Sequence, residues 1–436
     1  MNNLAIAAVI TAASICAAQA MDVKLLTSSD PALKLPPITM PGGKLLNYSI
    51  GIGSGAFRHP SDPANVIWTV GDRGPNMTCG GAKKLLGKEI ADKCKAHKRG
   101  RVYPLPSYTP SIYKVELDVK NGSFKVLQTI PLRKAKSGKP ITGLLNPQTV
   151  ATRDTGMDLA AKVLPYDPDN LDVEGIIRLK DGTFWIGEEM GPSIAHVGKD
   201  GKILKRLVPA DAAKDYVGSE AEIVASLPAI LSKRQGNRGI ESMAVSPDEK
   251  YLYFIVQNPL ANPNADAYKK AKNTRLFKLE WESGKLAGEY VYQLDDPETF
   301  GFDPSKKQNA PRISELLALG TDRLLVLERT DKTTKLHEVS LAGATNILGS
   351  KWDDVKTAPS LEQGNDMSKT GIAPLKKSLR FDTFRDFKQA PGKLEGMALL
   401  GDGSLALIND NDFGIGGDAT GVIVVKGVVN ADKGAY

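Results

Sequence analysis

Histidine and cysteine are scarce in this chain, and their scarcity removes whole classes of chemistry. Four histidines, at positions 59, 97, 196 and 337, sit singly in unrelated places among 436 residues, so no zinc site of the usual imidazole and thiolate spacing is present. Of three cysteines, Cys16 lies in the apolar leader described below, which leaves Cys79 and Cys94 and no finger-like partner for either. No Gly-x-Ser-x-Gly elbow occurs, which argues against a serine nucleophile. Nothing resembles an RNA- or DNA-binding module, and a net charge of +7 with a pI near 9.0 favours anionic partners without demanding nucleic acid. Beyond the first twenty residues no run is apolar enough to span a membrane.

That first run, MNNLAIAAVITAASICAAQA, ends in the small-residue pattern that signal peptidase cleaves after, although its start carries no Lys or Arg. It is shorter than the roughly 20 apolar residues a spanning helix needs. Residues 1–20 are therefore read as a signal peptide cleaved near Ala20, and the protein as periplasmic or secreted. In an oxidising compartment Cys79 and Cys94, fifteen positions apart, are expected to form a disulfide.

What is present is a repeated hairpin. Glu174, Glu241, Glu315 and Glu395 each stand seven residues before a turn aspartate, Asp181, Asp248, Asp322 and Asp402, with apolar runs on both sides of the turn. A fainter copy runs from Gly55 through Asp62 to Asp72. The turn aspartates are expected to cap turn backbone rather than to do chemistry. The spacing between copies leaves room for two further strands each, so residues 21–436 are predicted to form a single all-β domain, a β-propeller of four-stranded blades. Five blades are visible, and a sixth is predicted from pairing of N-terminal strands with Gly421–Val429. A pair of β-sandwiches would not explain one hairpin register across the whole chain. The exception to β structure is a helical insertion, within 77–110, tied by the cysteine pair. Between Lys83 and Arg101 it carries eight Lys or Arg against Glu89 and Asp92. It follows Asp72-Arg73 directly, so it is expected to overhang the same end of the ring, either as a basic lid or as a solvated helix.

In an antiparallel hairpin the start of the first strand and the end of the second lie at one edge, which puts Glu174 beside Glu188 and gathers Asp72, Glu241, Glu315, Glu328, Glu395, Asn409 and Asp410 at one mouth. So many carboxylates repel one another unless a positive charge sits among them. A divalent cation, calcium above all, suits oxygen ligands arriving from different blades. Glu174, Glu395, Asp410 and Asp72 are predicted as metal ligands, Glu188 or Glu241 as general base, and Arg73, Arg238 and Arg329 as groups that neutralise a developing oxyanion. Pairing of those arginines with the acids in a purely structural network is the alternative. Glu315, close to Arg312, is explained by a surface ion pair, and Asn411 and Asp412 by turn formation.

Gly71-Asp72-Arg73-Gly74-Pro75, Asp172-Val173-Glu174-Gly175 with Glu188-Glu189-Met190-Gly191-Pro192, Asn237-Arg238-Gly239-Ile240-Glu241, Glu328-Arg329, and Glu395-Gly396 with Asn409-Asp410-Asn411-Asp412-Phe413 resemble segments of a family of secreted bacterial proteins with an esterase-like, phytase-like propeller domain. They extend from about residue 45 to 425. The resemblance implies a propeller and a hydrolase, with a phosphate ester among the possible substrates; the Cys79–Cys94 insertion has no counterpart in the family pattern. The function expected is metal-dependent hydrolysis of a small anionic ester or phosphoester. The alternatives are a lactonase-type propeller and a non-catalytic binding or scaffold propeller in which the cation only staples blades.

Overall fold

Each repeated Glu-to-Asp segment folds as a hairpin whose first strand faces the centre of a ring. In the computed structural model, which describes residues 22–41, 43–146 and 153–432, the hairpin of Glu174 is Val173–Arg178 paired with Phe184–Glu188, followed by Ser193–Val197 and Ile203–Pro209 and edged in parallel by Glu222–Leu227. The hairpin of Glu241 grows into Ile240–Val245, Tyr251–Val256, Asn273–Glu280 and Lys285–Gln293, and that of Glu315 into Arg312–Gly320, Arg323–Arg329, Thr334–Ser340 and Lys376–Asp382. Gly55–Phe57, Val66–Val70, Ser111–Asp118 and Ser123–Pro131 make the unit of the fainter repeat.

The last unit is completed from the other end of the chain. Leu394–Leu399, Leu405–Asn409 and Gly421–Val425 form three of its strands, and Val23–Thr27 adds antiparallel to the third, from Val23 opposite Val425 to Thr27 opposite Gly421. Among the described residues the sheets make five such units, that of Glu174 carrying a fifth strand. The expected pairing of the two ends is made, but it finishes the unit of Glu395 instead of building another. The five inner strands pack in a closed circuit, Gly55–Phe57 against Val173–Arg178, that strand against Ile240–Val245, and so on through Arg312–Gly320 and Leu394–Leu399 back to the first. This is a propeller-like ring, and its apolar side chains lie between successive sheets: Tyr253 and Ile255 meet Leu316 and Val326, Leu317 and Leu327 meet Met397 and Leu407, and Ile408 and Val422 meet Ala56 and Ile67.

Three turn aspartates cap their turns as expected. Asp181 accepts from the Thr183 backbone N–H at 2.8 Å, Asp248 from Lys250 at 3.2 Å and Asp402 from Ser404 at 3.0 Å. Asp322, with φ of +60°, instead receives Lys278 Nζ at 2.7 Å and Tyr253 Oη at 2.9 Å. At the axis the inner strands come so close that a Cβ on Gly175 would stand 2.4 Å from the Glu241 carbonyl oxygen, which explains why glycine follows the repeated Glu there.

The insertion holds two short helices, α1 (Cys79–Leu86) and α2 (Lys88–Lys95), on a small sheet of Met77–Thr78, Gly100–Val102 and Thr155–Met157. Ala82, Leu86, Ala91 and Cys94 face inward, while Lys83, Lys84, Lys88, Lys93 and Lys95 are exposed. Cys79 and Cys94 are disulfide-bonded, their Cα atoms 5.5 Å apart. The signal-peptide segment, Cys16 included, lies outside the described residues. No helix among the described residues is long and apolar enough to cross a membrane.

Candidate functional site

The repeated glutamates owe their position to a β-bulge. Where Leu394 pairs with Asn409 the next paired residue is Gly396, so Glu395 is left over; Glu241 is left over in the same way between Ile240 and Ser242, and Glu174 lies in the irregular stretch between Val173 and Ile176. A bulged residue makes no ladder pair and its side chain is re-aimed, here into the mouth of the ring. In the fourth sheet the bulged residue is Ser314, and a second irregularity between Ala318 and Gly320 restores the count. Glu315 therefore sits one residue deeper than its repeats. It is fully buried on the axis, where its carboxyl accepts from the backbone N–H of Ala56 at 3.0 Å and Leu316 at 3.1 Å, with the N–H groups of Met243 and Met397 also turned toward it. Burial pushes its pKa well up. The surface ion pair expected with Arg312 is absent, because Arg312 pairs with Asp331.

A cavity of about 220 Å³ at the mouth is lined by Asp72, Arg73, Glu174, Arg238, Glu241, Arg329, Glu395 and Asp410, all expected at the mouth from the sequence, by Asp412, expected only to shape a turn, and by Glu189 and Lys393. Arg101 from the basic insertion also lines it, held by Asp154 at 3.3 Å, whereas the lysines of α1 and α2 do not. Glu188, expected beside Glu174, does not join the lining residues. Cross-strand partners share a face, and Glu188 pairs with Val173, so it points away from the side to which Glu174 is turned. It is fully buried, taking Gly191 N–H at 2.8 Å, Ser193 Oγ at 3.1 Å, and Asn146 Nδ2 and Arg206 Nη2 at 3.2 Å. The neighbouring residue, Glu189, reaches the cavity in its place.

The mouth divides electrostatically in two. On one side Arg329 pairs with Glu395 and donates to Ser314 Oγ at 3.0 Å, while Lys393 Nζ lies 2.7 Å from Asp410 and 2.6 Å from Asp412. Burial pushes Glu395 up to about 7 against the pull of Arg329, and Asp412 up to about 6. Burial would raise Asp410 too, but Lys393 holds it below the ordinary range. On the other side five carboxylates, Asp72, Asp172, Glu174, Glu189 and Glu241, face Arg73 and Arg238. Arg73 Nη1 is 2.9 Å from Asp172, and Arg238 Nη1 is 3.6 Å from Glu189. Oxygens of Asp72, Asp172 and Glu174 lie within 4.8 Å of one another, as do those of Glu174, Glu189 and Glu241. Glu174, common to both groups and 6% exposed, has no hydrogen bond or ion pair among the described residues. Burial first, and then Asp72, Glu241 and the other acids, push its pKa well above the carboxylate range. Glu241 accepts from Ser314 Oγ at 2.8 Å and from Gln257, and burial followed by Glu189 pushes it up to about 8.

A second space of about 590 Å³ adjoins the mouth, sharing Lys393 and Asp410 with it and adding Lys332, Lys388 and Phe302.

Fold and site together define an all-β, propeller-like protein whose mouth concentrates buried carboxylates and guanidinium groups. The chain belongs to the phytase-like family, described by the esterase-like activity of phytase, which matches residues 102–413. It is 27% identical over 234 residues to an uncharacterized secreted protein of Arthroderma benhamiae. That match covers 47% of this chain and 45% of the relative, so the chain spans less than half the length of the curated protein it matches. Among solved structures it is similar to the PQQ-bound aldose sugar dehydrogenase of Streptomyces coelicolor (10% identity, TM-score 0.32, covering 93% of this chain and 98% of that one). Virginiamycin B lyase of Staphylococcus aureus gives 11% identity and a TM-score of 0.29 over 89% of this chain and 68% of that one.

Proposed function

We propose that the mouth holds a divalent cation, calcium by the chemistry of its donors, and hydrolyses a small anionic ester or phosphoester. The observation that carries this reading is Glu174: a buried carboxylate with no hydrogen bond or ion pair among the described residues, inside a group of five acids faced by Arg73 and Arg238. An all-oxygen donor set from several strands fits a hard cation of flexible coordination and excludes soft or imidazole-seeking metals. Glu174 with Asp72 and Asp172, whose oxygens lie within 4.8 Å of one another, would hold it. Glu395 and Asp410 belong to neither close group of oxygens and pair with Arg329 and Lys393 instead. Bound there, the cation supplies polarisation of the ester oxygen and a lower pKa for water.

The chain's own groups do the rest. Glu241, whose carboxyl exchanges its proton close to neutral pH, takes the proton of the attacking water. Arg73, Arg238 and Arg329 face the same cavity and oppose negative charge that develops on the scissile group. Lys332, Lys388 and Lys393 line the adjoining space and suit an anionic substituent of the substrate. The disulfide and the secreted relative support an extracytoplasmic location.

The test is elemental analysis of purified protein followed by a panel of phosphate esters, carboxylic esters and lactones with and without chelator. Bound calcium and chelator-sensitive turnover of one ester class are expected. Metal-free protein with no such turnover would overturn the reading, and calcium that stabilises without any turnover would favour the scaffold alternative.

A further inference from the structure

The end of the ring opposite the mouth, where the hairpins turn, carries a hydrogen-bonded series that the mouth chemistry does not use. His59 and Ser61 lie in the turn between Gly55–Phe57 and Val66–Val70, and Glu249 lies in the turn of the third sheet. His59 Nδ1 is 2.6 Å from Ser61 Oγ, and His59 Nε2 is 2.8 Å from Glu249 Oε1. The backbone N–H of Ser61 also donates to Nδ1, at 3.1 Å. A backbone N–H has only a proton to offer, so Nδ1 must present its lone pair, and the ring proton sits on Nε2 facing Glu249. The serine hydroxyl is then a donor to a bare imidazole nitrogen whose other nitrogen is hydrogen-bonded to a carboxylate. That is the arrangement of roles in a serine, histidine and acid triad, recognised by geometry and not by chain order.

The surroundings hold the three groups in place. Glu249 Oε1 also accepts the backbone N–H of Lys180 at 2.8 Å, and the N–H of His59 donates to Asp62 at 3.2 Å while its carbonyl accepts from Asp62 N–H at 2.9 Å. His59 is buried, whereas Ser61 is exposed. Beside the imidazole lies a cavity of about 40 Å³ walled by Phe57, Val245, Leu317 and Ala318, with Arg58 at its edge. That is little more than the roughly 30 Å³ one water occupies in the liquid, so it admits a methyl-sized group and no long chain. Arg58 is anchored by Nε to the Pro63 carbonyl at 3.0 Å and by Nη2 to the Asp62 carbonyl at 2.8 Å, and its Nη1 makes no hydrogen bond among the described residues.

We propose that Ser61, His59 and Glu249 form a second, metal-independent site that hydrolyses short-chain carboxylic esters. Ser61 Oγ attacks the acyl carbon and its proton passes to His59 Nδ1. The alcohol leaves with the proton from Nδ1, giving acyl-Ser61. Water then attacks the acyl carbon, gives a proton to Nδ1, and Ser61 departs with that proton as the carboxylic acid is released. Glu249 stabilises the imidazolium in both halves and gains no proton. The site lies outside residues 102–413 in two of its three members and does not rest on the cation reading.

The test uses the full chain in excess EDTA. A fluorophosphonate probe is expected to label Ser61, located by peptide mass spectrometry, and p-nitrophenyl acetate is expected to be cleaved at least about tenfold faster than the octanoate, the scale of discrimination a small apolar pocket provides. Ser61→Ala should abolish labelling and cut acetate turnover by about 100-fold or more, with little change in melting temperature because Ser61 is exposed. His59→Gln should abolish labelling while Ser61 remains. Failure to label Ser61, or EDTA-resistant turnover that survives Ser61→Ala, would overturn the proposal. Loss of phosphoester turnover in EDTA would leave it untouched, so the two sites are tested separately.

Discussion

Removing the cation is expected to make the protein less stable as pH rises from 5 to 8. Burial, with neighbouring acids, pushes the carboxyl of Glu241 from 4.5 to about 8, and burial pushes that of Glu395 from 4.5 to about 7. Over that interval the folded protein holds protons that the unfolded chain has released. A raised carboxyl therefore contributes its full stability below pH about 4.5 and loses it as pH climbs through 7 to 8. For Glu395 the displacement corresponds to about 3 kcal/mol at about 1.4 kcal/mol per unit. A chain of this length melts with an entropy of about 0.9 kcal/mol/K, so the loss reads as a fall of about 3–4 °C in Tm from that residue alone. A cation bound beside Glu174 would supply opposing charge to the neighbouring Glu241 and flatten its share of the profile, while the share of Glu395, which faces Arg329, stays. Calorimetry at pH 5, 6, 7 and 8 in EDTA and in millimolar calcium measures both. A chelated protein whose Tm does not fall between pH 5 and 8, or calcium that raises Tm equally at both ends, would refute the argument.

Glu188→Gln is expected to destabilise the fold by about 3 kcal/mol, because it leaves the buried Arg206 guanidinium without its carboxylate; urea denaturation gives the value, and an unchanged midpoint would mean that Glu188 is not the anchor of that network. Glu241→Gln should leave the melting temperature within a few degrees and lower turnover of the best ester by about 100-fold, read in steady-state kinetics at saturating substrate. Reduction of Cys79–Cys94 opens a loop of 15 residues and should cost about 3 kcal/mol on the chain-entropy account. Thiol alkylation and mass spectrometry before and after reductant confirm the state, and limited proteolysis should then cut first within α1 and α2.

The hairpins were legible because their signals are local: an apolar run, an aspartate whose side chain suits a turn, and a second apolar run. The mouth acids followed from the same register. What failed did so where one residue of offset matters. The neighbour argument put Glu188 next to Glu174 without counting side-chain alternation, which sends Glu188 into the sheet and Glu189 to the cavity. A bulge at Ser314 in place of Glu315 left no trace in the spacing, since a second irregularity further along the strand cancels it. Asp172, one turn of the ladder before Glu174, was quoted in its segment but given no role. The pairing of Glu249 with His59 spans 190 positions, and a histidine two residues from a serine is too common a pattern to single out. The pairing of the two ends was legible, but nothing in the register showed that Val23–Thr27 adds to the strands of Glu395.

That shared edge matters for solubility. Gly421–Val425 reads GVIVV, an uncharged and strongly β-forming segment, fully buried in the assembled ring. Without Val23–Thr27 beside it, its backbone N–H and C=O groups would form an open ladder with no charge or proline to discourage a second chain. The N-terminal strand answers with Lys24 on its exposed side and pairs at its end with Ser123 of the first sheet. The first strand of the described chain is thus a cover against self-association, and a nick between it and the ring would turn a closed molecule into one with an aggregation-prone seam.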